Sequence, residues 1–292
     1  MSTAVAVVAL AATALAAPPA GLLASPAELA ARLSAPGVVV LHIEDRAGDF
    51  ANGHIPGARP VRYGDIAIDG PDQLGSELPP VAVLREVFHA AGVGATSDVV
   101  VYGSAIGATR AFFTLDFLGH PNVKVLNGGL GAWRVAGHAV ELGPAAPPRP
   151  DPGSLARLTP RPEVVAHADW LVTHLESPRL ALVDARPDAE FTGADGGMNG
   201  MHPAGHLAGA RQLVWTDLVS RSSQFLPDAD LRRRLEAAGA RADVPVVSYC
   251  MVGMRASVIY FVARHLGFDA KMYDGSIVDW GRRRLPVRTG RP

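Results

Sequence analysis

Cysteine is almost absent: the 292 residues contain one, at position 250. An intrachain disulfide is therefore excluded, and so is a zinc site built on several thiolates. Neither sign of charge is in excess, with 27 Lys and Arg against 28 Asp and Glu. A net charge of -1 provides no broad cationic field, so no nucleic-acid partner is expected. The arginine triplets at 232–234 and 282–284 are too short to change that and read as solvated faces. Apolar runs are short as well. The one over residues 4–17 falls below the roughly 20 residues that cross a bilayer, so no stable membrane association is expected. Hydrophobic residues at 48% and charged residues at 19% describe an ordinary globular protein, and the length favours two domains.

No charge precedes Glu28, and Pro18-Pro19 ends the first apolar run. That run has the length of the apolar region of a secretory signal, and Ala14-Leu15-Ala16 forms a small-x-small cleavage site. No Lys or Arg stands near Met1. A signal segment over residues 1–17 and a periplasmic or secreted protein are expected. A disordered Ala-rich leader on a cytoplasmic protein is the alternative.

Seven of the 24 prolines fall between Pro144 and Pro162, which marks residues 143–160 as a semi-rigid linker. The flanking halves, 22–142 and 161–288, repeat one another. Gly53-His54-Ile55-Pro56-Gly57-Ala58-Arg59 recurs as Gly205-His206-Leu207-Ala208-Gly209-Ala210-Arg211. Asp49-Phe50 is echoed by Glu190-Phe191, Leu118-Gly119 by Leu266-Gly267, and Trp133 by Trp280. Such order over so long a span is a duplication of a domain-sized unit. In each unit, β-branched runs alternate with helical patterns. Val38–Ile43, Val99–Tyr102 and Val123–Leu126 read as strands, with helices over Pro80–Ala91 and Ala108–Leu118. The second half gives strands at Leu180–Asp184, Val244–Tyr249 and Ala270–Tyr273. Its helices lie over Leu231–Ala238 and Arg255–Leu266, with another from Ala168 or Asp169 to Leu175. This is an α/β fold: two tandem domains, each a mostly parallel sheet flanked by helices, with ligands outside the carboxyl ends of the strands.

Cys250 falls just past a strand, and Arg255 opens the helix that follows. Gly253 lies between them, where a tight loop needs a residue that tolerates positive φ. Such a loop turns successive N–H groups inward, and the helix N-terminus adds partial positive charge. Together they form an anion cradle around a thiol and favour its thiolate form. A buried cysteine packing as a small hydrophobe is the competing reading. The strand, Cys, Gly, Arg and helix in sequence outweigh it.

Tyr249-Cys250-Met251-Val252-Gly253-Met254-Arg255 resembles the active-site loop of the rhodanese family, the thiosulfate sulfurtransferases. Tyr273-Asp274-Gly275-Ser276 followed by Trp280 resembles the family's next strand and turn, and residues 53–58 carry its Gly-His-Ile-Pro-Gly-Ala signature unchanged. The resemblance runs from about residue 22 to 287. It implies tandem rhodanese-like domains with catalysis in the second, and neither metal nor cofactor. Cys250 would take the outer sulfur of thiosulfate, release sulfite and pass the sulfur from its persulfide to cyanide or a cellular thiol. Arg255 would hold the donor's sulfonate and stiffen the loop, with Met251, Val252, Gly253 and Met254 around the substrate. The first half would be inactive, because Gly103 follows Tyr102 where the thiol would stand, and Ile43 is taken as the counterpart of Asp184.

The donor stays open. Some thiosulfate-using relatives carry two cations after the cysteine, and mercaptopyruvate-using relatives carry small residues. Met251 and Val252 match neither, so 3-mercaptopyruvate is the alternative donor. Where some relatives place a substrate-binding arginine, this chain has Glu190. Arg186 is kept as a candidate substrate contact beside a structural reading in which it pairs with Asp184 or Glu190. A monomer meeting only a small donor and a thiophilic acceptor is expected. A non-catalytic sulfur carrier, redox sensor or binding protein is the alternative of another class. A cysteine phosphatase would need five residues between Cys and Arg, and here four intervene. Gly92–Ser97 has its elements in the wrong order for a dinucleotide loop. His202 and His206 are four apart in a Gly-rich insertion, Thr192–Ala204, and not on an evident helix, so metal binding is not expected there. That insertion is expected to border the mouth of the site.

Overall fold

The structure is a computed structural model that describes residues 21–69, 75–145 and 153–291. The expected signal segment lies outside the described residues, as do residues 146–152 of the proline-rich stretch.

Each half builds a five-stranded parallel sheet. The first contains β1 (Leu23–Ala24), β2 (Val38–Glu44), β3 (Arg59–Arg62), β4 (Asp98–Tyr102) and β5 (Val123–Leu126), in the order β1-β5-β4-β2-β3. The second contains β6 (Val165–Ala166), β7 (Ala181–Asp184), β8 (Arg211–Gln212), β9 (Val246–Tyr249) and β10 (Ala270–Tyr273), in the order β6-β10-β9-β7-β8. The two orders are the same, as duplication requires. The central strands are buried along their length: Val99, Val100, Val101 and Tyr102 are fully buried, as are Val247, Ser248 and Tyr249, and Ser248 is the only hydroxyl-bearing aliphatic residue among them. Parallel strands covered on both faces need such continuous runs.

Helices α1 (Pro26–Arg32), α2 (Tyr63–Ile66), α3 (Val81–Ala90), α4 (Ala105–Phe117) and α5 (Gly129–Val135) belong to the first half. Helices α6 (Ala168–Val172), α7 (Asp188–Thr192), α8 (Gly196–Gly200), α9 (Asp228–Ala237), α10 (Ala256–His265) and α11 (Ser276–Arg282) belong to the second. The helix expected from Ala108 starts earlier, at Ala105, because the Ser104 hydroxyl accepts the Gly107 N–H at 3.0 Å and caps it. The proline-rich stretch is anchored at its far end, where Leu155 enters the core and Arg85 donates to the Leu158 carbonyl.

The halves meet through α4 and α10. All ten residues of α10 are buried, and so are residues 107–116 of α4. A helix that is buried all round needs a partner on every face. Phe112 meets Phe261 and Phe113 meets Tyr260 edge-on, each at 5.0 Å between ring centres, and Thr109 Oγ1 meets Ser257 Oγ at 2.8 Å. With Leu118-Gly119 aligned on Leu266-Gly267, these contacts are related by an approximate two-fold axis. Each aromatic pair adds about 0.5–1.5 kcal/mol beyond its burial. Asp116 provides the polar centre of the interface, accepting from Tyr260 Oη at 2.5 Å, from Arg264 Nε at 3.0 Å and from Arg161.

Candidate active site

Cys250 follows β9, at the carboxyl edge of the sheet, and its side chain is fully buried. The loop from Met251 to Arg255 carries the chain into α10, with Gly253 at a φ of +82°. A Cβ on Gly253 would stand 2.6 Å from Asp274 Oδ1 and 2.7 Å from the Asp274 carbonyl oxygen. Only glycine fits a turn that close to its neighbour.

Ser276, at the start of α11, fixes the loop from the opposite side. Its hydroxyl oxygen accepts the N–H of Cys250 and of Gly253, each at 3.1 Å, and donates to the Tyr273 carbonyl at 2.8 Å. Ser276 sits at a φ of +53°, a strained position for a residue with a Cβ. The hydroxyl contacts offset that strain. Among the described residues, the N–H groups of Met251, Val252, Met254 and Arg255 have no protein acceptor. These open donors line the turn beside the thiol. The sequence reading missed Ser276 as a site residue. The signal was present in Tyr273-Asp274-Gly275-Ser276 set against Leu126-Asn127-Gly128-Gly129.

Arg255 is expected to hold the donor's sulfonate and stiffen the loop. Its Nη1 and Nη2 grip Glu190 Oε1 and Oε2, both at 2.7 Å, while its side chain also interacts with Cys250. The loop cation is thus paired with a carboxylate from α7. Burial opposes charge on Arg255, but Glu190 and Cys250 outweigh it and hold the guanidinium pKa above its ordinary value. The residue at the position of a relative's substrate arginine is therefore the partner of the loop arginine.

Arg186 is not brought to the loop surface. It is fully buried, with Nε 3.0 and 3.1 Å from the two Asp184 oxygens and Nη2 2.7 Å from both Asp184 Oδ2 and the Gly205 carbonyl. Its guanidinium lies 5.8 Å from the Tyr249 ring centre, and Nη1 has no partner. Desolvation favours the neutral form, and the Asp184 carboxylate overrides it, so its pKa is raised. These contacts make it a brace beneath the site, because no donor on it faces open space. The register corrects another expectation: Asp184 pairs with Tyr249, and His42 pairs with Tyr102. The counterpart of Asp184 is His42 and not Ile43.

The first domain contributes Tyr63 and Arg110. Tyr63 Oη meets Ser76 Oγ at 2.9 Å, and the ring packs against the core cluster that contains Cys250. Burial raises the Tyr63 pKa. His54 and His206 each contact a backbone carbonyl, Phe50 at 3.0 Å and Phe191 at 2.9 Å, and stack on those rings. Within the insertion Thr192–Ala204, residues 196–200 form α8. Pro203 packs against Gly281 of α11, and the Thr192 carbonyl accepts the Gly290 N–H at 2.9 Å. No group of three metal-ligating side chains occurs among the described residues, and no helix there is long and apolar enough to cross a membrane.

Comparison with known proteins places this geometry. The rhodanese-like domain family matches residues 25–136 and again 167–283. The thiosulfate sulfurtransferase of Azotobacter vinelandii is 33% identical over 268 residues, covering 89% of this chain and 94% of that protein. A probable 3-mercaptopyruvate sulfurtransferase of Pseudomonas aeruginosa is 34% identical over 284 residues, covering 90% and 96%. The crystal structure of SseA from Escherichia coli, a 3-mercaptopyruvate sulfotransferase, superimposes with a TM-score of 0.75 at 25% identity, over 87% of this chain and 98% of that one. The chain belongs to the rhodanese family and is a sulfurtransferase with two rhodanese-like domains.

Proposed function

We propose that the chain moves the outer sulfur of thiosulfate to a thiophilic acceptor through a persulfide on Cys250. The observation that carries this is a lone thiol at the base of a turn whose N–H groups at Met251, Val252, Met254 and Arg255 are left without acceptors. Those donors suit an anionic sulfur and its leaving group. The Cys250 thiolate attacks the sulfane sulfur. The S–S bond of thiosulfate breaks, its electron pair leaves on sulfite, and the negative charge stays on the terminal sulfur of the persulfide. A thiolate or cyanide then attacks that terminal sulfur and restores the Cys250 thiolate. This is two-step covalent catalysis with ping-pong kinetics. Gly253 and Ser276 shape the cradle, and the Arg255–Glu190 pair braces it.

One observation favours a second donor. With Arg255 neutralised by Glu190, the site presents no spare full charge from that residue. A monoanion such as 3-mercaptopyruvate asks for less positive charge than dianionic thiosulfate. Sulfur transfer from it would leave pyruvate. Intact mass after incubation with each donor tests both readings. Gain of one sulfur atom, absent in Cys250→Ser, identifies the donor. No gain from either donor would overturn both. We also read residues 1–17 as an export signal. An N-terminus that begins after Ala16 or Ala17 in periplasmic material supports this, and an intact Met1 in the cytoplasm refutes it.

A further inference from the structure

We propose that Arg110, from the domain without the thiol, is a positioning residue for the Cys250 loop and acts through Asp274. Arg110 lies in α4 and is fully buried. Its Nη1 donates to Asp274 Oδ1 at 2.5 Å, and Nη2 lies 3.4 Å from Oδ2. The Leu78 N–H, also from the first domain, donates to Asp274 Oδ2 at 2.7 Å. Both oxygens of Asp274 are thus held across the domain boundary.

Asp274 is where that grip reaches the site. It stands between Tyr273 and the turn that presents Ser276, whose hydroxyl holds the Cys250 and Gly253 amides. A Cβ on Gly253 would touch three groups: Asp274 Oδ1, the Asp274 carbonyl, and Arg110 Nη1 at 3.3 Å. The guanidinium therefore lies directly against the turn of the thiol loop. Charge on Arg110 survives burial because of Asp274, with Tyr63 and Cys250 adding to it. The charged and titratable groups facing the thiol are then Arg255 and Glu190 from its own domain, and Arg110 and Tyr63 from the other, with Asp274 between.

The arrangement is mirrored only in part. The counterpart of Asp274 is Asn127, which likewise accepts a backbone N–H from the other domain, that of Phe225 at 2.8 Å. The cation has no counterpart: with Thr109 opposite Ser257, the α10 residue matching Arg110 is Val258. A buried cation has been kept on one side of an otherwise symmetric interface, pointed at the only thiol in the chain.

The inference rests on Cys250 being the reacting group, and its test is separable from the choice of donor. The full-length chain is alkylated with iodoacetamide across pH 5–9, and with one cysteine every adduct reports Cys250. Single-turnover persulfide formation from thiosulfate and thermal melting are measured beside it. Arg110→Met removes the cation and leaves the Asp274 charge. Its alkylation profile is expected to move up by about one pH unit, with persulfide formation at least tenfold slower. Arg110→Lys is expected to recover part of both, since the charge returns without the two-oxygen grip. Asp274→Asn is expected to move the profile downward and still slow transfer, because the turn loosens. Should Arg110→Met fail to fold, Asp274→Asn and Arg110→Lys carry the test alone. Phe112→Leu, whose ring meets Phe261 in the same interface, is the control for mere loss of stability. Wild-type profiles and rates in folded Arg110 and Asp274 variants, or the same shifts in Phe112→Leu, overturn the inference. Wild-type chain that takes no sulfur while the alkylation shifts persist overturns the donor reading and leaves this one standing.

Discussion

The two strand-to-helix crossings, Tyr102 to Ala105 and Tyr249 to Ala256, occupy equivalent places in a duplicated fold, and only the second carries a thiol. Around both, the scaffold is unchanged. Tyr102 Oη accepts the Ile55 N–H at 3.0 Å, and Tyr249 Oη accepts the Leu207 N–H at 3.1 Å. The differences are concentrated where a side chain begins. A Cβ on Gly103 would lie 2.7 Å from the Ile43 carbonyl oxygen, and a Cβ on Gly129 would lie 2.9 Å from the Gly103 carbonyl. Gly129 has a φ of +53°, the same as Ser276. One site has collapsed onto a pair of glycines, whereas its twin holds a thiol and a hydroxyl at the equivalent places. A cavity of about 390 Å³ lies over Gly103, lined by Asp45 and Asp49 with Arg134 as the opposing cation. The first crossing therefore lacks the thiol and, at Gly103, the room for a Cβ to carry one.

The largest test of that contrast is Cys250→Ser, which should abolish sulfur uptake completely as read by intact mass. Gly253→Ala comes next. The clash with Asp274 should displace the thiol loop and slow single-turnover persulfide formation about 100-fold. Gly103→Cys attempts to undo the divergence. It should cost about 1–3 kcal/mol of stability through overpacking and still leave uptake at one sulfur per chain. Two sulfurs per chain would break the comparison. Ser276→Gly makes the second turn copy the first. Release of about 1–3 kcal/mol of backbone strain should offset much of three lost hydrogen bonds of about 0.5–1.5 kcal/mol each, so melting falls only modestly while transfer slows.

The smallest effect is on acid stability. Burial holds the pKa of His42 below its ordinary 6.5, against the pull of Glu44, Asp49 and Asp45. Burial does the same to His120, against a hydrogen bond to the Gly94 carbonyl. The unfolded chain therefore takes up these protons first. The stability the two residues contribute is complete above pH 6.5 and declines as pH falls below it. Hydrogen exchange at pH 7.5 and 5.5 should show protection lost in β2 and β4 of the first domain. Unchanged protection there would remove this difference between the halves.

The long central strands and the crossing at Cys250 were readable because their signals are local: continuous β-branched runs, a Gly, and an Arg at a helix start. The edge strands were not. Leu23–Ala24, Val165–Ala166 and Arg211–Gln212 are two residues each, and β3 contains Pro60, so none carries a periodic pattern. The Arg255–Glu190 pair joins residues 65 apart, and nothing at either position announces its partner. Aligning Ile43 with Asp184 is off by one residue, because β2 runs on to Glu44, past His42, and β7 ends at Asp184, so the strand ends do not mark the register. Only the ladder register fixes which residue faces Tyr102.

The seam between α4 and α10 has a consequence for the history and engineering of this chain. The helix that starts at the thiol loop is walled in on every side, and one of its walls is the half without the thiol. Excising the second half would bare Phe261, Tyr260 and Val258 to water together and invite self-association. The second half is thus no longer a module that can be moved by recombination. Any single-domain derivative would first have to evolve a polar coat for α10, and the doubled architecture is held in place by that debt of exposed surface.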